Sequence, residues 1–124
     1  MSAGEAVRAA LTAAVASDAQ LGAIERRGRS LPRLAVEIVG ATDWSTKTEA
    51  GRELRTLLQL QVAEGQAGRI DTLTAAVEAL GATLAGDLGG WRVASAVLAR
   101  SRTSVERDGV RTVRVEHRVR VLEN

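Results

Sequence analysis

The chain has no cysteine, no phenylalanine and no tyrosine, and one each of proline, methionine, histidine and lysine. Each absence removes a class of function. Without cysteine there is no disulfide, no thiolate nucleophile and no thiolate-bound metal. The sole histidine, His117, has no second imidazole as partner base. It sits among valines in an alternating run, the setting of a structural residue. No serine lies in a nucleophile elbow, and the acidic residues show no metal-binding spacing. The glycines from Gly86 to Gly90 lack the lysine and spacing of a phosphate loop and read as a helix stop. Neither an enzyme nor a cofactor is expected. With Trp44 and Trp91 as the only aromatics, there is no platform for stacking single-stranded bases. No apolar run reaches the ~18 residues of a membrane helix. Met1 to Ser17 is mostly alanine at its centre, with Glu5 where a secretory leader would be basic, so no leader is expected there.

What remains is an ordinary globular composition. The 124 residues suit one domain, and an apolar content of 45% is too high for wholesale disorder. Alanine and valine supply much of that content. The core is therefore built of small side chains, each burying less area at about 25 cal/mol per Å². An isolated subunit should be modestly stable, with assembly adding to it. Seventeen basic and 15 acidic residues leave a net charge of +2, which does not by itself point to nucleic acid.

The hydrophobic pattern divides the chain into two helices and four strands. Ser2 and Glu5 have capping-box spacing, and Val7, Leu11, Ala14 and Val15 mark one face of a helix ending near Ser17. A short turn is expected over Asp18 to Gly22, and a basic connection from Arg26 to Pro32. Leu34, Val36 and Ile38 alternate as a strand, Gly40 to Arg52 reads as a long polar loop, and Leu54 to Val62 alternates as a second strand. After a break at Glu64 to Gly68, Ile70, Leu73, Val77, Leu80 and Leu84 give the apolar stripe of a helix. The last third is a hairpin, Trp91 to Thr103 and Val110 to Leu122, turning at Asp108-Gly109. A three-residue loop, Arg107 to Gly109, sets Val97, Ala99, Ser101 and Thr103 against Val119, His117, Val115 and Val113. A two-residue turn would set arginines against the apolar stripe. The expected fold is α+β: an antiparallel sheet of about four strands with two helices packed on one face, in a single domain spanning residues 1–124.

Two features exceed the needs of a fold. One is the polar loop Asp43, Trp44, Ser45, Thr46, Lys47 and Thr48, where a tryptophan either folds back over the hairpin base or anchors a partner. The other is the outward face of the hairpin, where Arg100, Arg102, Arg114, Arg118 and Arg120 stand with Glu116, which opposes Arg100. Such a face is a solvated strand surface, a partner for acidic residues of a neighbouring subunit, or a contact for DNA phosphates. On a strand rather than a recognition helix, it is not suited to reading base sequence.

Residues Thr42 to Thr48, followed by Gly51-Arg52-Glu53, resemble the segment after the first core strand in the tail-terminator (tail-completion) family of long-tailed phages and gene transfer agents. The N-terminal helix, Pro32-Arg33-Leu34 ahead of a strand, the helix from Arg69 and the C-terminal strand of alternating Val and Arg resemble the same family. The resemblance implies a non-catalytic subunit of a homo-hexameric ring. That ring caps the head-proximal end of the tail tube, meets the head-side neck or stopper proteins, and lets DNA pass through its channel. It implies a place at the tail-neck junction of a particle assembled in the bacterial cytoplasm. Asp43 to Thr48 and Arg52 carry over as contact candidates. In such a ring Arg100, Arg114, Arg118 and Arg120 would meet acidic residues such as Glu64, Asp71 and Glu78 of the next copy, because cyclic contacts join unlike faces. An adaptor or stopper of the neck and a basic nucleic-acid-binding module remain as alternatives, and phage and gene transfer agent are not separated.

Overall fold

The computed structural model describes residues 1–26 and 30–124. Its elements run α1 (Ala3–Ser17), α2 (Ala19–Arg26), β1 (Arg33–Asp43), β2 (Gly51–Val62), α3 (Ile70–Ala79), β3 (Trp91–Val105) and β4 (Arg111–Glu123). Short 3-10 segments at Glu64–Arg69 and Leu80–Thr83 flank α3. The four strands form one antiparallel sheet in the order β1-β2-β4-β3, with the helices packed on one face. This is the expected α+β fold.

Local chemistry sets the helix ends. The Ser2 hydroxyl accepts the Glu5 amide at 3.1 Å, so the serine half of the expected box caps α1. The expected turn at Asp18 is instead a junction between two helices. Asp18 closes α1, and its carboxylate accepts the amides of Gln20 and Leu21, each at 2.9 Å, opening α2. Leu21 and Ile24, three residues apart, are then buried. The basic connection expected from Arg26 to Pro32 lies partly outside the described residues, at 27–29.

The core is a continuous layer between sheet and helices. Val7 and Leu11 of α1 lie over Leu54, Val119 and Val121. Leu21 and Ile24 of α2, with Leu73 and Val77 of α3, lie over Leu58, Leu60, Val113 and Val115. His117 is buried in the same layer, as its place among valines implied. Its Nε2 lies 2.9 Å from the carbonyl oxygen of Glu78, near the C-terminus of α3. A carbonyl can only accept, so Nε2 carries the proton. Nδ1 is buried without a hydrogen-bond partner. The ring fits because residue 81 is glycine: a Cβ there would sit 2.9 Å from Nε2 and closer still to Cδ2.

Two expectations need correction. The first strand does not end near Gly40. It continues to Asp43, with a bulge at Val39, so the connection to β2 is residues 44–50 rather than 40–52. In the hairpin, the three-residue loop forms as expected: Glu106 donates to Val110 at 2.8 Å, Gly109 donates to Glu106 at 3.0 Å, and Gly109 has φ +82°. Ser101 and Thr103 oppose Val115 and Val113, as reasoned from that loop. Farther along, Val97 and Ala99 do not oppose Val119 and His117. Bulges at Ala99 and Ala94 each insert one residue, so Leu98 opposes His117, Ala96 opposes Val119, and Val97 turns to the outer face opposite Arg118.

Candidate functional site

The sheet face away from the helices carries the chemistry-bearing residues. The regular alternation of β4 puts Arg114, Glu116, Arg118 and Arg120 on it, while Val113, Val115, Val119 and Val121 point into the core. The pairs Arg100–Glu116 and Arg102–Arg114 add two more arginines to the same face. All five expected arginines therefore share one surface. From β2, Glu53 and Arg55 join them, Glu53 opposite Arg120 and Arg55 opposite Arg118.

This surface has two unlike ends. Near the 44–50 loop two arginines share one carboxylate. Arg120 Nε donates to Glu53 Oε1 at 2.8 Å, and Arg118 Nε lies 3.8 Å from the same oxygen. The Arg120 guanidinium also lies over the Trp44 ring, 5.1 Å from its centroid. Trp44 thus folds back on the base of the hairpin, the first of the two roles its position allowed, and is half-buried. At the other end, Arg102 and Arg114 oppose each other across the ladder and line an open depression with Thr103 and Ser104. Arg114 Nη1 donates to Ser104 at 3.3 Å, and neither guanidinium has a carboxylate within ion-pair distance among the described residues. Like charges directly opposed on a ladder destabilise it, and an anion between the two guanidiniums would relieve that repulsion. Arg114 and Arg120 are six residues apart, about 20 Å along the strand.

The 44–50 loop is held by its own hydrogen bonds. Trp44 donates to Gly51 at 2.9 Å, Thr46 to Glu49 at 2.8 Å, and Ser45 to the Asp43 carboxylate at 2.6 Å. Glu49 pairs with Arg92 at 2.6 Å, and the Ala50 carbonyl accepts the Glu123 amide at 2.8 Å, tying the loop to β3 and β4. Lys47 and Thr48 stand at the exposed tip, Asp43, Ser45 and Thr46 are exposed beside them, and Arg52 pairs with Asp43 across β1 and β2. The structure thus gathers the loop candidates with Arg118 and Arg120, and places Arg102 and Arg114 at the far end. Glu64, Asp71 and Glu78 belong to the helical side, so the arginine face does not meet them within one copy. Glu53, the shared counter-ion, was missed at the sequence level although alternation puts it beside Arg55. Among the described residues, no group of three His, Cys, Asp or Glu is placed to hold a metal, and no helix is long and apolar enough to cross a membrane.

Comparison with protein-family profiles and with curated protein sequences finds no match to this chain. Comparison with solved structures does: a chain of the virion of a native gene transfer agent (GTA) particle aligns with a TM-score of 0.69 and 25% sequence identity. The chain has the fold of a gene-transfer-agent virion protein. The alignment covers 98% of this chain and 99% of that one.

Proposed function

We propose that this protein is a structural, non-enzymatic virion protein: the tail terminator of a phage or gene transfer agent. It acts as a ring that caps the head-proximal end of the tail tube and joins it to the neck. The observation that carries this reading is the end-to-end likeness to a gene-transfer-agent virion chain. The residues supply what such a subunit needs. A four-stranded sheet backed by three helices makes a rigid plate. A self-bonded loop at one end offers Lys47, Thr48 and their neighbours to a tail-tube or stopper protein. The arginine face offers charge that a neighbouring acidic surface can match. The ring is homo-hexameric in this reading, DNA passes through its channel without sequence reading, and the protein resides at the tail-neck junction.

The test is negative-stain microscopy of the purified protein, alone and with its tail-tube protein. Rings that seat on tube ends and stop their growth support the reading; a protein that joins head-side components but ignores tube ends makes it an adaptor or stopper.

One observation favours a second reading, a basic nucleic-acid-binding module. Arg102 and Arg114 face each other with no carboxylate between them, which suits a phosphate. That reading requires duplex binding that weakens steeply with salt.

A further inference from the structure

Five large apolar side chains stand exposed among the described residues, and four of them lie on the two outside strands of the sheet: Val39 on β1, and Val97, Leu98 and Val105 on β3. Outside strands also present unpaired backbone donors and acceptors. The start of β3 is covered by the preceding loop, where Val93 donates to Gly86 at 2.9 Å. From Ser95 to Val105, no backbone partner lies on its outer side among the described residues. The hydrogen-bonded pair Glu106–Val110 fixes the alternation, which points the amides of Ser101, Thr103 and Val105 away from β4. β3 contains no proline, lysine or acidic residue to discourage pairing.

The two edges match. Four alternating strands leave β1 and β3 running in opposite directions, so copies related by rotation bring β3 of one against β1 of the next as an antiparallel pair. β3 carries Arg92, Arg100 and Arg102 with no acid, whereas β1 carries Glu37 and Asp43 against Arg33. Setting Leu98 beside Val39 brings the bulge at Ala99 next to the bulge at Val39. The same alignment places Arg100 opposite Glu37 on the outer face, and Ser101 and Thr103 opposite Val36 and Leu34 on the helix face. The faces of the two sheets agree throughout this stretch.

We infer that the partner of the β3 edge is the β1 edge of a second copy, paired antiparallel with Arg100 opposite Glu37, so that the sheets of neighbouring subunits join into one closed surface. This rests on the ring reading above and names the surface that builds the ring.

Cysteine cross-linking of the full chain tests it, since the protein has no cysteine of its own. Within one copy β1 and β3 are separated by two strands, about 14 Å, too far for a disulfide. The double variant E37C/R100C should therefore give, on oxidation, a ladder of covalent oligomers ending at the ring's copy number, and neither single variant should give a ladder. Thr103→Pro removes an outward amide and no ladder bond, so it should raise the concentration for half-assembly about tenfold or more at unchanged circular dichroism. Rings that form normally but give no ladder, or whose assembly ignores Thr103→Pro, overturn the edge pairing and leave the ring reading standing. A protein that stays monomeric at every concentration overturns both.

Discussion

Replacing Gly81 with alanine should destabilise the protein, against what helix propensity predicts. Gly81 lies in the 3-10 turn that continues α3, outside the positive-φ glycines. On backbone grounds alone, alanine there would add about 0.5–1 kcal/mol. Its Cβ would instead meet the His117 ring, 2.9 Å from Nε2 and in harder collision with Cδ2. The ring cannot retreat cheaply, because His117 is 1% exposed. Forcing an added methyl into a filled core costs about 1–3 kcal/mol. Tilting the ring off the Glu78 carbonyl leaves buried polar groups unpaired, for about 1–3 kcal/mol more. The expected net loss is about 2–4 kcal/mol, or roughly 10 °C in melting temperature at about 4 °C per kcal/mol. Urea and thermal denaturation at fixed protein concentration measure it, because assembly would make stability concentration-dependent. The double-mutant cycle with His117→Val supplies the sign test. With the ring gone, Gly81→Ala should become neutral or stabilising. A Gly81→Ala protein as stable as the original, or an equal loss in both backgrounds, refutes the packing argument.

Three further outcomes follow from other contacts. Asp18→Ala removes the carboxylate that caps α2 at Gln20 and Leu21, and should cost about 0.5–2 kcal/mol in urea denaturation. Glu53→Gln leaves Arg118 and Arg120 without their shared partner, but the groups are 28–46% exposed, so the loss should stay near 0.5–1 kcal/mol and shrink in high salt. Charge reversal of Arg118 and Arg120 together should loosen the ring far more than it unfolds the subunit, read as a shift in mass at matched circular dichroism; an unchanged ring mass contradicts a role for this face in assembly.

The parts of the fold legible in the sequence are those where large apolar residues mark a face. Val113 to Val121 alternate with arginines, so both the burial of β4 and the charged outer face follow from the pattern alone. Leu54 to Val62 and the stripe of α3 are similarly explicit. The errors fall where side chains are small. Alanine marks neither face, so the inserted residues Ala94 and Ala99 leave no trace in the alternation, and the shift they impose on Val97 is invisible. In α2 a glycine interrupts a short run of mixed polarity, leaving only the Asp18 cap and the Leu21–Ile24 spacing as signals. β1 reaches Asp43 through Gly40 and Ala41, which propensity disfavours, because pairing with β2 overrides it. At the candidate site, the arginines, Glu116 opposite Arg100 and a fold-back role for Trp44 were legible; the shared carboxylate of Glu53 was not. Glu53 and Trp44 reach Arg120 across connections that alternation does not relate.

Subunits that act as a closed ring on the end of a tail tube must arrest its growth. Electron micrographs of the tail-tube protein polymerising with and without this protein test this most directly. A terminating ring leaves short tubes of arrested length, each carrying one ring at one end. Tubes that grow equally long in both samples, with bare ends, would contradict termination by a ring.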